Sequence, residues 1–196
     1  MAAMVAQARF TLAARRDLHG AGFEWPAAPE QDELEGNHFY QDLRLISWDQ
    51  VDAAIALERG LLKIFEDAPT EDAARQAIDS CLANAHNSDP LLAPLCDLDI
   101  GVASCVMALS AADCIPFTSC NGGALGGLHS SSYPVVAFFM RPAHAPILLA
   151  CAERARIGLK PYETGRFQAY ADDLYKLIHF ACELRAKADS LRAIID

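Results

Sequence analysis

Two short apolar runs flank a glycine-rich loop between Cys114 and Met140, and this alternation restricts the fold more than any other feature of the chain. The second run, residues 134–140, is rich in Val and Phe, a composition typical of a buried strand. Pro116 in the first run has no amide hydrogen to donate, so we expect that strand at a sheet edge or at a bulge. A sheet with buried strands needs a second layer to cover it.

Helical segments on either side of these strands can supply that layer. Ser47 and Gln50 have the spacing of a capping box, and the apolar residues that follow them recur at helical spacing. Asp97 or Asp99 stands where a cap is expected before another apolar run. The sequence predicts helices at about residues 48–66, 71–87, 100–112, 144–156 and 174–195.

Two further strand patterns precede the last helix. Residues 157–163 and 166–170 are joined at Thr164–Gly165, which is a hairpin signal. The whole pattern predicts an α/β (α+β) protein, with a small sheet of about four strands in the C-terminal half packed by helices. We expect residues 1–99 to form an acidic helical layer and residues 100–196 a small α/β domain, both within one compact unit.

Acidic residues are concentrated in the first half of the chain. Residues 1–100 contain eighteen Asp and Glu against seven Lys and Arg, whereas residues 101–196 contain eight against nine. Because Lys and Arg contacts to phosphates supply most non-specific nucleic-acid affinity, this distribution weighs against a dedicated DNA or RNA binder. A solvated acidic face explains it, and a surface that docks on a basic protein partner is the alternative.

The bulk composition predicts a folded, soluble protein. Hydrophobic residues make up 53% of the 196 residues and charged residues 21%, which fits a globular chain with a substantial core. No apolar run approaches bilayer-spanning length, and the first residues show no basic leader before an apolar block. We therefore expect a cytoplasmic protein that does not enter a membrane.

The seven cysteines, an odd number, lack the close CxxC spacing of redox and zinc motifs. They lie at positions 81, 96, 105, 114, 120, 151 and 182. We expect free thiols in a reducing compartment, mostly buried as small apolar side chains. A thiol redox protein is a further hypothesis, in which any disulfide would need a distant or intermolecular partner.

The loop between the two apolar runs is the candidate ligand site. Its glycines allow positive φ, and successive amides in such a loop can form an anion-binding nest. It is neither a Rossmann fingerprint, because a strand follows it, nor a Walker loop, because the Lys-Ser/Thr pair is missing. A plain connector between strands is the alternative. We expect a small molecule or nucleotide, with no cofactor indicated, and contacts from Thr118, Ser119, Asn121, Gly122, Gly123, Gly126, Gly127, Tyr133 and Arg141.

Cys120 and His129 are the candidate catalytic residues of this loop. Cys120 ends a strand beside the glycines, where open α/β sheets bind ligands, and backbone amides there would favour a thiolate. His129 is the nearest base for such a nucleophile. A buried strand-end thiol is the alternative. Cys114, Cys120 and His129 are also a hypothetical zinc site, but structural zinc sites usually contain close CxxC pairs, so we expect no metal.

The strand that ends in Ser119, Cys120, Asn121 and Gly122 lies after a helix and before a loop with a histidine and an apolar strand. This arrangement resembles the Ser-Cys-Ser/Glu-Gly segment of wybutosine-pathway tRNA methyltransferase-like proteins. The resemblance covers about residues 100–180, and Ser119, Cys120 and Gly122 match the motif, whereas Asn121 departs from it. It implies an α/β fold and an association with S-adenosylmethionine-dependent modification of a guanosine-derived tRNA base. A basic RNA-facing surface is missing, so the resemblance supports the topology more than the activity.

Overall fold

Two long helices begin the described chain, and a four-stranded sheet lies in the C-terminal half. The computed structural model describes residues 43, 46–88, 95, 98–123, 131–163 and 165–195. Its helices and strands are α1 (Trp48–Asp67), α2 (Glu71–Ser88), α3 (Ala103–Ala111), β1 (Ile115–Asn121), β2 (Pro134–Phe139), α4 (Ala145–Ala155), β3 (Gly158–Glu163), β4 (Arg166–Tyr170), α5 (Leu174–Arg185) and α6 (Ala188–Ile195). The predicted mixed α/β class is confirmed. Predictions for residues 1–42 lie outside the described residues.

All neighbouring strands of the sheet are antiparallel, in the order β1-β2-β4-β3. β1 is therefore an edge strand, and its register shifts between Pro116 and Thr118. Both expectations for Pro116 hold, the edge position and the bulge, because a proline cannot donate to the sheet ladder. The predicted hairpin between β3 and β4 is confirmed, and Gly165 in its turn has a φ of +76°.

The strand register assigns each side chain to one face of the sheet, because opposed residues in antiparallel strands point the same way. On the inner face, Val136, Phe138, Phe167 and Ala169 share one core with the buried residues of the helices. On the outer face the strands form three transverse rows. The rows are Cys120–Val135–Tyr170–Gly158, Thr118–Ala137–Gln168–Lys160 and Ile115–Phe139–Arg166.

A second apolar cluster lies on the outer face, separate from the helical core. Ile115, Phe117, Ala137 and Phe139 form it, and each is at most 1% exposed. The guanidinium carbon of Arg166 lies over the rings of Phe117 and Phe139, 5.3 and 5.6 Å from their centroids. β2 is therefore buried on both faces, as its Val- and Phe-rich sequence predicts.

Side chains cap the first two helices, and the cap of α1 is the predicted capping box. At α1, the Ser47 hydroxyl accepts from the Gln50 amide, and the Gln50 side chain accepts from the Ser47 amide. At α2, the Thr70 hydroxyl accepts from the amide of Ala73. None of the helices in the described part of the chain is long and apolar enough to cross a membrane.

The long C-terminal helix predicted over residues 174–195 is interrupted. A tight turn divides it into α5 and α6, and in this turn the Lys187 amide donates to the Leu184 carbonyl. Leu184, Ala188 and Leu191 are buried on both sides of the turn. The helical spacing of apolar residues therefore predicts which side chains pack, but it does not reveal a short break that preserves that spacing.

Two glycines provide a matched test of this packing. At Gly158 a Cβ atom would lie 2.1 Å from Cζ of Tyr170, whereas at Gly60, inside α1, nothing lies within 4 Å. We expect Gly158→Ala to lower the free energy of unfolding by about 1–3 kcal/mol, because the ring must move. Gly60→Ala should raise it by about 0.5–1 kcal/mol through helix propensity. Urea unfolding measures both changes, and equal effects would contradict the packing of Tyr170 across β3.

Candidate functional site

Five of the residues predicted to form a site lie together at one end of the sheet. They are Cys120, Asn121, Gly122, Gly123 and Tyr133. Backbone pairing between the end of β1 and the start of β2 holds them side by side. Gly126, Gly127 and His129 lie outside the described residues, so an approach of His129 to Cys120 stays a prediction.

The Cys120 thiol ties together the two ends of the loop between β1 and β2. Its sulfur accepts a hydrogen bond from the Gly122 amide at 3.3 Å and donates one to the Ser131 carbonyl at 3.9 Å. The residue is only 3% exposed. These bonds join the two described ends of the loop. A nucleophilic role requires the thiol to give its proton to a base instead of sharing it with the Ser131 carbonyl.

The backbone amides of Gly122 and Gly123 both donate hydrogen bonds to neighbouring side chains of the protein. Both glycines have positive φ, +73° and +74°. A Cβ atom on Gly122 would lie 2.7 Å from the carbonyl carbon of Tyr133, so a side chain does not fit there. The Gly122 amide donates to Cys120, and the Gly123 amide donates to Asn121 Oδ1 at 3.0 Å. These two amides therefore do not form the open anion-binding nest that the sequence suggests.

A second phenol ring, Tyr170, and a cation, Lys160, extend the site beyond the residues predicted for it. Cys120, Val135, Tyr133 and Tyr170 form a small apolar cluster separate from the helical core. The ring centroids of Tyr133 and Tyr170 are 5.9 Å apart, and the rings are tilted by 59°. Lys160 Nζ lies 4.8 Å from the centroid of the Tyr170 ring. We call the group of Cys120, Tyr133, Lys160 and Tyr170 the loop corner.

Ser119 and Arg141 lie away from the loop corner. Ser119 pairs with Val136, so it points to the inner face of the sheet, whereas Cys120 points to the outer face. Arg141 follows the far end of β2, where its Nε lies 2.9 Å from Asp113 Oδ2. The structure therefore does not bring these two predicted contact residues together with Cys120.

Asn121 anchors the end of β1 to the segment that precedes α3. Its backbone amide donates to Asp99 Oδ2 at 3.1 Å, and its side-chain Nδ2 donates to the Ile100 carbonyl at 3.3 Å. The prediction that Asp99 caps the next helix is therefore wrong, because its carboxylate accepts a hydrogen bond from β1 instead. Asp97, the alternative cap, lies outside the described residues. α3 begins three residues later than predicted, after a turn in which Gly101 has a φ of +96°.

The cap of α3 comes from a different helix. Glu58 on α1 is fully buried, and its carboxylate accepts the amides of Gly101 at 2.7 Å, Ala103 at 2.9 Å and Ser104 at 3.0 Å. The Ser104 hydroxyl is a fourth donor. Such amides have no partner within their own helix, and the helix dipole favours negative charge beside them. Burial raises the pKa of Glu58, and the hydrogen bonds from Ser104 and the amides oppose that rise.

His144 is a second buried polar side chain, and it lacks comparable support. It ends the short 3₁₀-helix Pro142–His144 after β2, and it is 0% exposed. Neither ring nitrogen has a hydrogen-bond partner among the described residues. Burial lowers the pKa of His144, while the nearby Asp113 raises it to a smaller extent. The neutral ring therefore carries two unsatisfied polar atoms, which lowers the stability of the fold.

The other thiols do not support a redox centre. The six described cysteines are free, and Cys96 lies outside the described residues. Thiolate is the reactive form of cysteine, and a raised pKa disfavours it at neutral pH. Burial raises the pKa of Cys105, Cys114, Cys151 and Cys182.

The hypothetical zinc site also lacks a suitable geometry. Cys114 precedes β1 and Cys120 lies near its other end. The usual strand rise separates them by about 20 Å, so they cannot bind one ion. Within the described ranges, no group of three His, Cys, Asp or Glu side chains is placed to hold a metal.

The acidic surface of α1 and α2 is partly neutralised by nearby cations. Three ion pairs, Lys63–Asp67, Arg75–Glu71 and Arg185–Asp52, have N–O distances of 2.9, 3.0 and 2.9 Å. Exposed pairs of this kind add little to stability. They do reduce the negative charge that a basic partner would meet, which favours a solvated face over a docking surface.

The pH dependence of stability tests the burial of the His144 ring. Because this pKa is lowered below its ordinary value of 6.5, the unfolded chain binds the proton first as the pH falls. The stability that depends on the neutral ring is therefore lost from about pH 6.5 downward. We expect His144→Leu to raise the free energy of unfolding by about 1 kcal/mol at pH 7, and by more at pH 5.5. Urea unfolding at both pH values measures this, and a constant difference would contradict a buried neutral ring.

Comparison of the chain with protein-family models, with curated proteins and with solved structures gives no match in any of the three. No related protein therefore supports or contradicts the resemblance to wybutosine-pathway proteins. The function of the loop corner has to be inferred from the residues of this chain.

Proposed function

We propose that the chain binds a small anion that carries a planar ring at the loop corner, with a nucleoside monophosphate as the simplest example. The observation that carries the proposal is the convergence of two phenol rings, an ammonium group and a thiol outside the helical core. Tyr133 and Lys160 are partly exposed there. Aromatic rings stack on a planar group, and a lysine pairs with its negative charge.

The rest of the chain favours a small ligand over a polymer. The net charge of −10 opposes the approach of a long polyanion, whereas a single phosphate needs only one nearby cation. Asn121 fixes the end of β1, and Cys120 bonds to Gly122 and Ser131. Hydrogen bonds that already hold the contact residues lower the entropy lost when a ligand binds.

Cys120 and His129 define a catalytic form of the same proposal. In this form His129 accepts the thiol proton, and the resulting thiolate is the reactive state of Cys120. Alkylation of Cys120 by iodoacetamide should in that case be slower in His129→Ala than in the wild type. Equal alkylation rates in the two proteins would reject the catalytic form and retain only the binding site.

Thermal unfolding with four probes tests the ligand class. The melting temperature of the full chain is measured with millimolar AMP, GMP, adenosine or inorganic phosphate. A ligand that binds only the folded state raises this temperature with its concentration. We expect larger shifts with AMP and GMP than with adenosine or phosphate, because only the nucleotides use both ring and charge contacts. No shift with either nucleotide would contradict the proposal.

Substitutions at the loop corner test the location of the site. Lys160→Met and Tyr133→Leu should each weaken AMP binding about tenfold, which is about 1.4 kcal/mol, with little change in the melting temperature of the unliganded protein. Cys120→Ser tests the thiol in the same way. Lys63→Met is the matched control, because it removes an exposed lysine on α1 that pairs with Asp67. An equal loss of affinity in both lysine variants would assign the effect to overall charge.

A further inference from the structure

We infer that Glu58, which lies outside the loop corner, positions that site by fixing residues 98–104 against the end of β1. The ligand-binding part of this inference rests on the proposed function. The effect of Glu58 on Cys120 rests only on hydrogen bonds between described residues. Glu58 is thus a positioning residue that acts through α3 and Asn121.

The first link joins α1 to the turn that opens α3. Oε1 of Glu58 accepts from Gly101 and Ala103, and Oε2 accepts from the amide and hydroxyl of Ser104. The carboxylate is fully buried, so water cannot replace these donors. On its other side the turn meets α5, since a Cβ atom on Gly101 would lie 2.6 Å from Cδ2 of Leu174. The turn is therefore held from both sides.

The second link joins this turn to the end of β1. Asp99 and Ile100 directly precede the turn, and they accept the backbone and side-chain N–H groups of Asn121 at 3.1 and 3.3 Å. Asn121 Oδ1 in turn accepts the Gly123 amide, and the neighbouring Gly122 amide donates to Cys120. Hydrogen bonds and short backbone segments thus connect a buried carboxylate on α1 with the thiol of the loop corner.

Ser110 is a control residue that stabilises α3 without a bond to the segment that holds Asn121. It is also buried on α3, and its hydroxyl donates to the Val106 carbonyl at 2.9 Å. This bond stays within the helix, so its loss leaves residues 98–104 in place. Loss of the Glu58 bonds frees the segment that holds Asn121. In Glu58→Gln, an amide NH₂ replaces one carboxylate oxygen and faces N–H donors instead of accepting from them.

Alkylation rates of single cysteines test the inference on the full chain. The native protein is treated with iodoacetamide, and peptide mass spectrometry follows Cys120 together with Cys151, which is buried on α4 and reports opening of the core. We expect Glu58→Gln to raise the ratio of the Cys120 rate to the Cys151 rate about tenfold. Ser110→Ala is the matched control and should leave the ratio unchanged. An unchanged ratio in Glu58→Gln, or an equal rise in Ser110→Ala, would overturn the inference.

Asp99→Ala provides a second variant in case Glu58→Gln fails to fold. Asp99 is exposed, and Asp99→Ala removes one of the two hydrogen bonds that hold Asn121 while the Glu58 bonds stay intact. It should also raise the Cys120 to Cys151 ratio, and a ratio equal to that of the wild type would count against the connection. AMP affinity, measured in parallel, separates the two proposals. A selective rise in Cys120 alkylation in a protein that does not bind AMP supports the positioning role and rejects only the proposed ligand.

Discussion

A carboxylate buried among the amides that open a neighbouring helix joins α1 to α3. Glu58 carries a carboxyl group that is costly to remove from water, and the first turn of α3 carries amides that are costly to leave without acceptors. Each group satisfies the other, so neither can be replaced alone without leaving a buried polar group unmatched. This pairing holds the start of α3 against α1.

The two faces of the sheet have different surroundings. Its inner side is filled by the helices, while its outer side combines a dry apolar cluster at one end with the loop corner at the other. Tyr133, Lys160 and Tyr170 meet there because β4, and not β3, pairs with β2. The strand order therefore determines which side chains can act together with Cys120.

Features set by neighbouring residues were predictable from the sequence. The capping box of α1, the edge position of Pro116, the hairpin at Gly165 and the burial of β2 depend on a few adjacent side chains. Arg141 was assigned to the site although the strand predicted over residues 134–140 already places it at the far end of β2 from the loop. Tyr170 and Lys160 were missed because one sequence does not reveal that β4 inserts between β2 and β3.

Glu58 was missed although the sequence contains a signal for it. It falls on the same helical face as Val51, Ile55 and Leu62, so its spacing alone predicts burial. A charged residue at an apolar position of a helix needs a partner. That partner is a helix start more than forty residues away, joined by bonds from residues 101, 103 and 104. The sequence therefore indicates that a partner is required, but it does not identify which residues supply it.

The strand order also has a consequence for how the protein is made. Of the four strands, β1 and β2 leave the ribosome first and can form their hairpin. One edge of β2 then has no neighbour until α4, β3 and β4 have been synthesised. During that interval an edge with Val and Phe on both sides is open to pairing with another nascent chain. Slow translation after residue 140 would lengthen this exposure, and a chaperone that shields extended apolar segments would be most useful at that stage.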